Sequence, residues 1–406
     1  MSVTAAELNP EALLRERPTA DLARLRGRSL AMAVVGLALM AVGWLTQGKE
    51  SFLESYLIGF IFWLGITMGS LALLMVQYLS GGAWGMVVRR IYEAATRNVP
   101  LMVVFFLPIA LNLPVLYEWV RPEAAADVNL QSKAVYLNTK FFFVRAVIFF
   151  GIWYILAFFL NRWSKEQDDT AQRLPGPKDG RIRALSGPGL VLYMLTLTFM
   201  SVDWIMSLAP HFYSTIFGIL MLGGQGLSTM AFSILMLRAL SRFKPLADVV
   251  EPNHFHDLGK LMLAFVMLWA YFNVSQLIII WSGNLPEEIP WYIDRLQGAW
   301  APVAWAIFIG HFVLPFSLLL SRNLKRHPNL LARLAWFVIV MRVVDLIWTI
   351  GPAVRHQTST IHWLDFAAVI GLGGVWLTFF FSTLGTRALV PAHDPYFKEA
   401  MAHGGH

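Results

Sequence analysis

Four ionisable residues, Arg145, Asp203, Arg342 and Asp345, stand inside stretches otherwise built from apolar side chains. A charge in the interior of a bilayer is costly unless it is paired or hydrated, so each of the four is a candidate for function. Arg342 and Asp345 are spaced i, i+3 and can meet on one helical face; two arginines with two aspartates sum to zero charge. Counted at 1.5 Å per residue, all four fall about 7–12 Å inside the outer end of their spans and share one layer. Glu54, His211, Asp294, His362 and Asp365 lie around the same outer level, and Tyr193 and Ser201 share a span with Asp203. Towards the inner side the polar residues are neutral or titrate near neutrality: Thr67, Ser70, Gln77 and Tyr78, then Gln225, then Asn273 and Gln276 near mid-depth, and His311. A carboxylate-rich outer layer above a sparse chain of hydroxyls, amides and one histidine can hold water and relay protons. The same groups can also act only as salt bridges and interhelical hydrogen bonds that hold a bundle together.

The elements that must position these residues are transmembrane helices. Of the 406 residues, 57% are hydrophobic and 14% charged, with a mean hydropathy of +0.57, well outside the range of soluble domains. About 20 apolar residues make one helical crossing, and stretches of that order fall at 29–46, 53–80, 100–120, 138–162, 189–208, 213–240, 258–282, 292–321, 331–350 and 362–387. The expectation is an all-α membrane protein of ten spans, with a tail over 1–28, a membrane domain over 29–387 and a second tail over 388–406. Of the 32 Lys and Arg, Lys49, Arg121, Lys133, Lys140, Arg295 and Arg355 fall on one set of alternate loops, and Arg145 and Arg342 fall within spans. All the others lie on the N-terminal tail, on the loops after spans 2, 4, 6 and 8 with their flanks, and on the C-terminal tail. The positive-inside rule therefore puts both termini in the cytoplasm. The arginines of the first tail suit a retained segment better than a cleaved signal, and the longest inner loop, 163–187, is too short for a domain.

Several chemistries are excluded or weakened. The chain has no cysteine, which removes thiolate catalysis, disulfides and cysteine-ligated iron–sulfur clusters. Of the ten histidines only His311 sits well within the hydrocarbon, so a transmembrane bis-histidine haem is not expected, and no cofactor or metal site is expected on this chain. The formal charge of +7 is concentrated beside membrane segments, where it orients the chain rather than binding nucleic acid. After span 2, Trp84, Val87, Val88, Ile91 and Ala95 recur at helical spacing opposite Arg89, Arg90, Glu93 and Arg97. This reads as an amphipathic helix on the inner membrane surface, or as an ordinary connecting helix. Pro108, Pro114, Pro302, Pro315, Gly223, Gly224 and Gly226 interrupt spans, either freeing backbone groups for ions or kinking and packing helices closely.

An ordered set of short segments resembles a known family. It comprises Ser80-Gly81-Gly82-Ala83-Trp84-Gly85 with Arg89-Arg90, Leu137-Asn138, Phe141-Phe142-Phe143-Val144-Arg145 and Leu160-Asn161-Arg162-Trp163-Ser164. It continues with Gly187-Pro188-Gly189, Ser201-Val202-Asp203-Trp204-Ile205-Met206-Ser207-Leu208, Pro210-His211, Ser214-Thr215-Ile216-Phe217-Gly218 and Gly224-Gln225-Gly226. Together these resemble the ActF-type membrane subunit of bacterial alternative complex III, a quinol oxidoreductase related to the NrfD and polysulfide-reductase membrane subunits. Ala209 departs from the acidic residue expected before Pro-His. The resemblance implies two four-helix bundles, spans 2–5 and 6–9, with spans 1 and 10 peripheral. It also implies a complex in the bacterial inner membrane that oxidises menaquinol or another quinol. Its partners would be a related ten-span NrfD-like subunit, iron–sulfur subunits and multihaem cytochrome c subunits; the haems and clusters would sit on those subunits, and this chain would carry none.

The leading functional reading is a proton-handling subunit, with Asp203, His211, Arg145, Arg342 and Asp345 as an outer relay, Glu54, His362 and Asp365 beside it, and His311, Gln225 and Asn273 towards the cytoplasm. The alternatives are a purely structural subunit, direct quinol binding by Asp203 and His211, and an independent secondary transporter.

Overall fold

A computed structural model describes residues 18–169, 177–355 and 361–392, together with Asp394 and Phe397. Among the described residues there is no strand. The principal helices are α1 (Thr19–Ser80), α2 (Arg89–Thr96), α3 (Val99–Ala110), α4 (Thr139–Asp169), α5 (Pro177–Trp204) and α6 (Phe217–Leu240). They are followed by α7 (Pro252–Gly283), α8 (Ile289–Leu296), α9 (Gly298–Leu320), α10 (Pro328–Arg355) and α11 (Trp363–Leu384). Seven helices are long and apolar enough to cross a membrane, or eight if α2 and α3, bent by 44° at their junction, form one crossing. Their outward faces are apolar: Val147, Ile155, Val191, Val274, Ile278 and Ile309 are all exposed. Large exposed apolar surfaces of this kind need a lipid solvent. The protein is therefore all-α, with the helices of a membrane bundle.

The 62 residues of α1 would extend about 93 Å if straight, three times a hydrocarbon core. Gly48, at φ 86° and ψ 175°, reverses the chain instead, a conformation open to glycine and strained for other residues. The reversal shows in the packing against α11. Ala33, Gly36 and Gly43 of the first arm meet Gly374, Gly371 and Leu364, whereas Gly59 and Trp63 of the second meet Ala368 and Gly373. The first arm thus runs antiparallel to α11 and the second parallel to it. At the first of these seams backbones lie so close that a Cβ on Gly36 would overlap Gly371, the small-residue packing that membrane helices use in place of hydrophobic drive. Of the seven long apolar helices α1 holds the most deeply buried stretch, and its second arm packs on α6 through Gly65 against Gln225 and Gly69 against Thr229.

The loops collect at two ends. One holds Leu22 beside Gly385, Arg183 on the carbonyl of Leu79 at 3.1 Å, Arg238 on Asn329 at 2.8 Å and Arg326 on Asn253 at 2.6 Å. This is the basic end, and both described ends of the chain lie there. At the opposite end Tyr117 donates to the carbonyl of Trp204 at 3.1 Å, Lys133 to that of Pro210 at 2.6 Å, and Phe212 stacks on Trp291 at 5.0 Å.

Three expectations need correction. The third apolar stretch, expected over 100–120, is helical only to Ala110; a short helix, Leu113–Leu116, and 3-10 turns reaching Ala126 follow. Pro108 and Pro114 weaken the helix there, and Asn112 turns its amide back onto the carbonyl of Pro108 at 2.8 Å. The eighth stretch, 292–321, is divided: α8 ends at Leu296, Gly298 turns the chain at φ 58°, and α9 widens into a π-helical turn over Phe308–Val313. Pro315 has no N–H for the carbonyl of His311, and the widened turn absorbs the mismatch. Of the two readings of 84–97, a surface amphipathic helix and an ordinary connecting helix, the first fails, because the polar face at Arg89, Arg90 and Glu93 is 0%, 3% and 2% exposed.

Candidate functional site

On α10 the spacing i, i+3, i+7 brings Arg342, Asp345 and Thr349 to one buried face. Arg342 donates from Nη1 to Oδ2 of Asp345, and Thr349 returns its hydroxyl to the Asp345 carbonyl at 2.8 Å. From α7, Trp269 donates its indole N–H to the same Oδ2 at 3.2 Å. The guanidinium of Arg342 lies flat against Gly224 on α6, where a Cβ would overlap it. Only glycine at 224 leaves room for the charge at that depth.

Trp269 also meets His311 edge to face, with ring centroids 4.5 Å apart at 87°. His311 is fully buried in the π turn of α9, and neither ring nitrogen has a hydrogen-bond partner among the described residues. Both amide atoms of Gln276, two turns along the α7 face from Trp269, are buried and make no close hydrogen bond among the described residues, with the Tyr292 hydroxyl beside them. Polar atoms left in this way are the usual sites of internal water. His311 therefore stands level with Arg342 and Asp345 rather than in a separate inner tier.

Beside this cluster opens a cavity of about 410 Å³ between α7, α8, α9 and α10. Its wall is aromatic and aliphatic, with Trp269, Tyr292, Phe308, Phe312 and Trp348, and its polar lining residues include Asn273 and Asp345. Asn273 donates to the carbonyl of Trp269 at 2.8 Å. An apolar chamber with a few convergent polar groups suits a small amphipathic molecule.

The other half of the expected layer is a separate pair. Arg145 on α4 donates from Nε to Oδ2 of the fully buried Asp203 on α5 at 2.6 Å and from Nη1 to the carbonyl of Tyr136 at 3.0 Å. Its guanidinium lies 3.9 Å from the Tyr136 ring centroid, and burial, with Asp203 beside it, pushes the Tyr136 hydroxyl well above its ordinary pKa. Oδ1 of Asp203 makes no close hydrogen bond among the described residues, with the Tyr136 hydroxyl near the carboxylate. Among the described residues no hydrogen bond or ion pair joins this pair to Arg342 and Asp345, so the four charges form two dipoles and not one quartet.

Glu54, His362 and Asp365 do come together, through a residue that the loop pattern had assigned to the outer surface. Arg355 is 4% exposed; it pairs with Asp365, with a second contact at 3.0 Å, and reaches Glu54 at 3.4 Å. Ser55 donates to Asp365 at 2.7 Å, and Asp365 also accepts from the backbone N–H of His362 at 2.9 Å. His362 is the N-cap of α11, accepting from the N–H of Leu364 at 3.2 Å. Gln225 accepts from the hydroxyl of Tyr193 at 3.0 Å. His211 lies apart, half exposed, 3.2 Å from Asp127.

The most crowded ionic cluster is at the basic end. Glu93 takes Arg90 at 2.6 Å, Arg89 at 3.0 Å, Arg387 at 3.3 Å, Ser164 at 2.6 Å and Tyr78 at 3.2 Å. Arg89 continues to Gln167 at 2.9 Å and to Asp394, and Arg90 to Asp168 at 2.5 Å. The i+3 and i+4 spacing of Arg89, Arg90 and Glu93 was visible in the sequence, but apart from Tyr78 their other partners lie 71 to 305 residues away.

Trp269, Tyr292 and Trp348 were not singled out in the sequence because they look like ordinary apolar filling. Compared with known protein families and with characterised proteins, the chain matches no family model and no individual sequence.

Proposed function

We propose that this chain is an integral subunit of a quinol-oxidising electron-transfer complex in a bacterial inner membrane, where it handles protons and provides assembly contacts. In this reading the chain crosses the membrane ten times, with both arms of α1 and α10 among the crossings. The second arm of α1 through α5 makes one bundle and α6 to α10 the other, and the first arm of α1 lies at the edge with α11. The basic end faces the cytoplasm, as the charge bias requires. The redox centres belong to iron–sulfur and multihaem cytochrome c partners beside a related ten-span subunit, as the resemblance of the ordered segments implies.

The observation that carries the proton-handling role is the position of Asp345. Asp345 is a buried residue that lines a cavity, and its carboxylate is joined through Trp269 to His311, whose ring nitrogens make no hydrogen bond among the described residues. A group so placed can exchange a proton with whatever enters the cavity and pass it through water towards the histidine. The same cavity favours a second reading, in which this chain itself binds a quinol head group at Asp345 rather than at Asp203 and His211. Purification from native membranes through a tag on this chain tests the assignment. Haem-containing partners and quinol oxidation should co-purify with it; a chain that is active alone, without them, would instead be a transporter.

A further inference from the structure

A second cavity, about 320 Å³, opens at the basic end between α3, α4 and the segment after α11. Four cations line it, Arg97, Arg162, Lys165 and Arg387, and no carboxylate does. Two of the four already have a carboxylate behind the lining: Arg387 pairs with Glu93 of the buried cluster at 3.3 Å, and Arg162 with Glu166 at 3.2 Å on the exposed side. Arg387 is fixed by Glu93 and by the carbonyl of Asn161 at 2.7 Å, and Arg97 is held beside it by Thr386 at 3.1 Å. Lys165 has no ion-pair partner among the described residues. Four cations against two carboxylates leave the opening with a surplus of positive charge, carried by Arg97 and Lys165, which an entering anion would offset.

The lower wall shows what kind of anion fits. Tyr154 and Phe158 line the same cavity and are 49% and 43% exposed. They lie eight and four residues before Arg162 on α4, about 12 and 6 Å along the helix towards the membrane centre. The opening is therefore cationic where the helix meets water and apolar where it meets lipid. A soluble phosphate would use the first half alone; a molecule with an anionic head and a hydrocarbon tail uses both.

We propose that Arg97, Arg162, Lys165 and Arg387 bind the phosphodiester of an anionic phospholipid whose acyl chain lies on Tyr154 and Phe158. The site rests only on the membrane placement of the bundle and not on the quinol assignment. It would pin the segment after α11 against α3 and α4 in the leaflet where basic residues concentrate.

Native mass spectrometry of the full-length protein in detergent, titrated with phosphatidylglycerol or phosphatidylcholine of identical chains, tests this. Each cation near a lipid surface contributes a factor of about five in affinity. The expected result is that Lys165→Gln lowers retention of phosphatidylglycerol about fivefold and Arg97→Gln/Arg162→Gln/Lys165→Gln about a hundredfold, with phosphatidylcholine unchanged and Lys140→Gln, at the opposite end, without effect. The single Lys165→Gln variant decides the matter if the triple variant does not fold. Equal retention of the two lipids, unchanged retention in Lys165→Gln, or displacement of phosphatidylglycerol by millimolar inorganic phosphate would each overturn the proposal.

Discussion

Trp269 donates its indole N–H to Oδ2 of Asp345 across 3.2 Å. The indole is a donor only, so it can hold the carboxylate in place but cannot carry its proton onward. Trp269→Phe keeps the ring and its contact with His311 and removes one hydrogen bond to a charged acceptor. Stability should fall by about 1.5–3 kcal/mol. Thermal unfolding of the solubilised protein measures this, and an unchanged transition would mean that the bond contributes nothing.

The Arg342–Asp345 pair is buried on both sides. Removing one partner leaves an uncompensated interior charge, so Arg342→Met should cost about 3–5 kcal/mol. Arg342→Met/Asp345→Leu, with both charges gone, should recover most of that loss. A double-mutant cycle on unfolding midpoints checks the expectation, and purely additive losses would contradict it.

Gly224 sets how near α6 comes to the Arg342 guanidinium. Gly224→Ala must push the guanidinium aside, and a loss of about 1–3 kcal/mol is expected from overpacking. Gly151 is the control, because a Cβ added there would meet nothing within 4 Å: Gly151→Ala should be neutral or slightly stabilising. Equal effects of the two substitutions would remove the close-approach argument.

At the basic end, Asp394 is the tie between Arg89 and the chain beyond α11. Asp394→Asn should loosen the segment over 385–394, while α1 to α11 stay folded. Limited proteolysis should then cut near Ala388–Ala392 at least about tenfold faster, the factor expected when local opening becomes easier by about 1.4 kcal/mol. Unchanged cleavage would show that Leu389, Val390 and Phe397, all buried, hold the segment by themselves.

How much of this was legible in the sequence depended on the range of the interaction. The apolar stretches and the alternation of Lys and Arg are local signals, and the helices lie where those signals put them, to within a few residues at most ends. Arg342 with Asp345 was legible for the same reason, since i, i+3 partners share a helix. Arg355 was misread because a loop-flanking arginine looks solvated until Asp365, on the next helix, and Glu54, from the far end of the chain, are brought to it. Arg89, Arg90 and Glu93 were misread likewise: a polar helix face is the same pattern whether it meets water or the side chains of Ser164, Asp168 and Asp394. The cavity beside Asp345 had no sequence signature, because Trp269, Tyr292 and Trp348 belong to three separate helices.

The most direct measurement is proton uptake or release per quinol oxidised, in proteoliposomes that hold the assembled complex with Asp345→Asn in this chain. Asparagine keeps the shape and accepts the same hydrogen bonds but cannot take a proton. If Asp345 handles the proton, coupled proton movement should fall about a hundredfold or more while the complex still assembles with its full haem content. Unaltered proton movement per quinol, with only the yield of complex reduced, would make the pair a structural brace and contradict the proposed role.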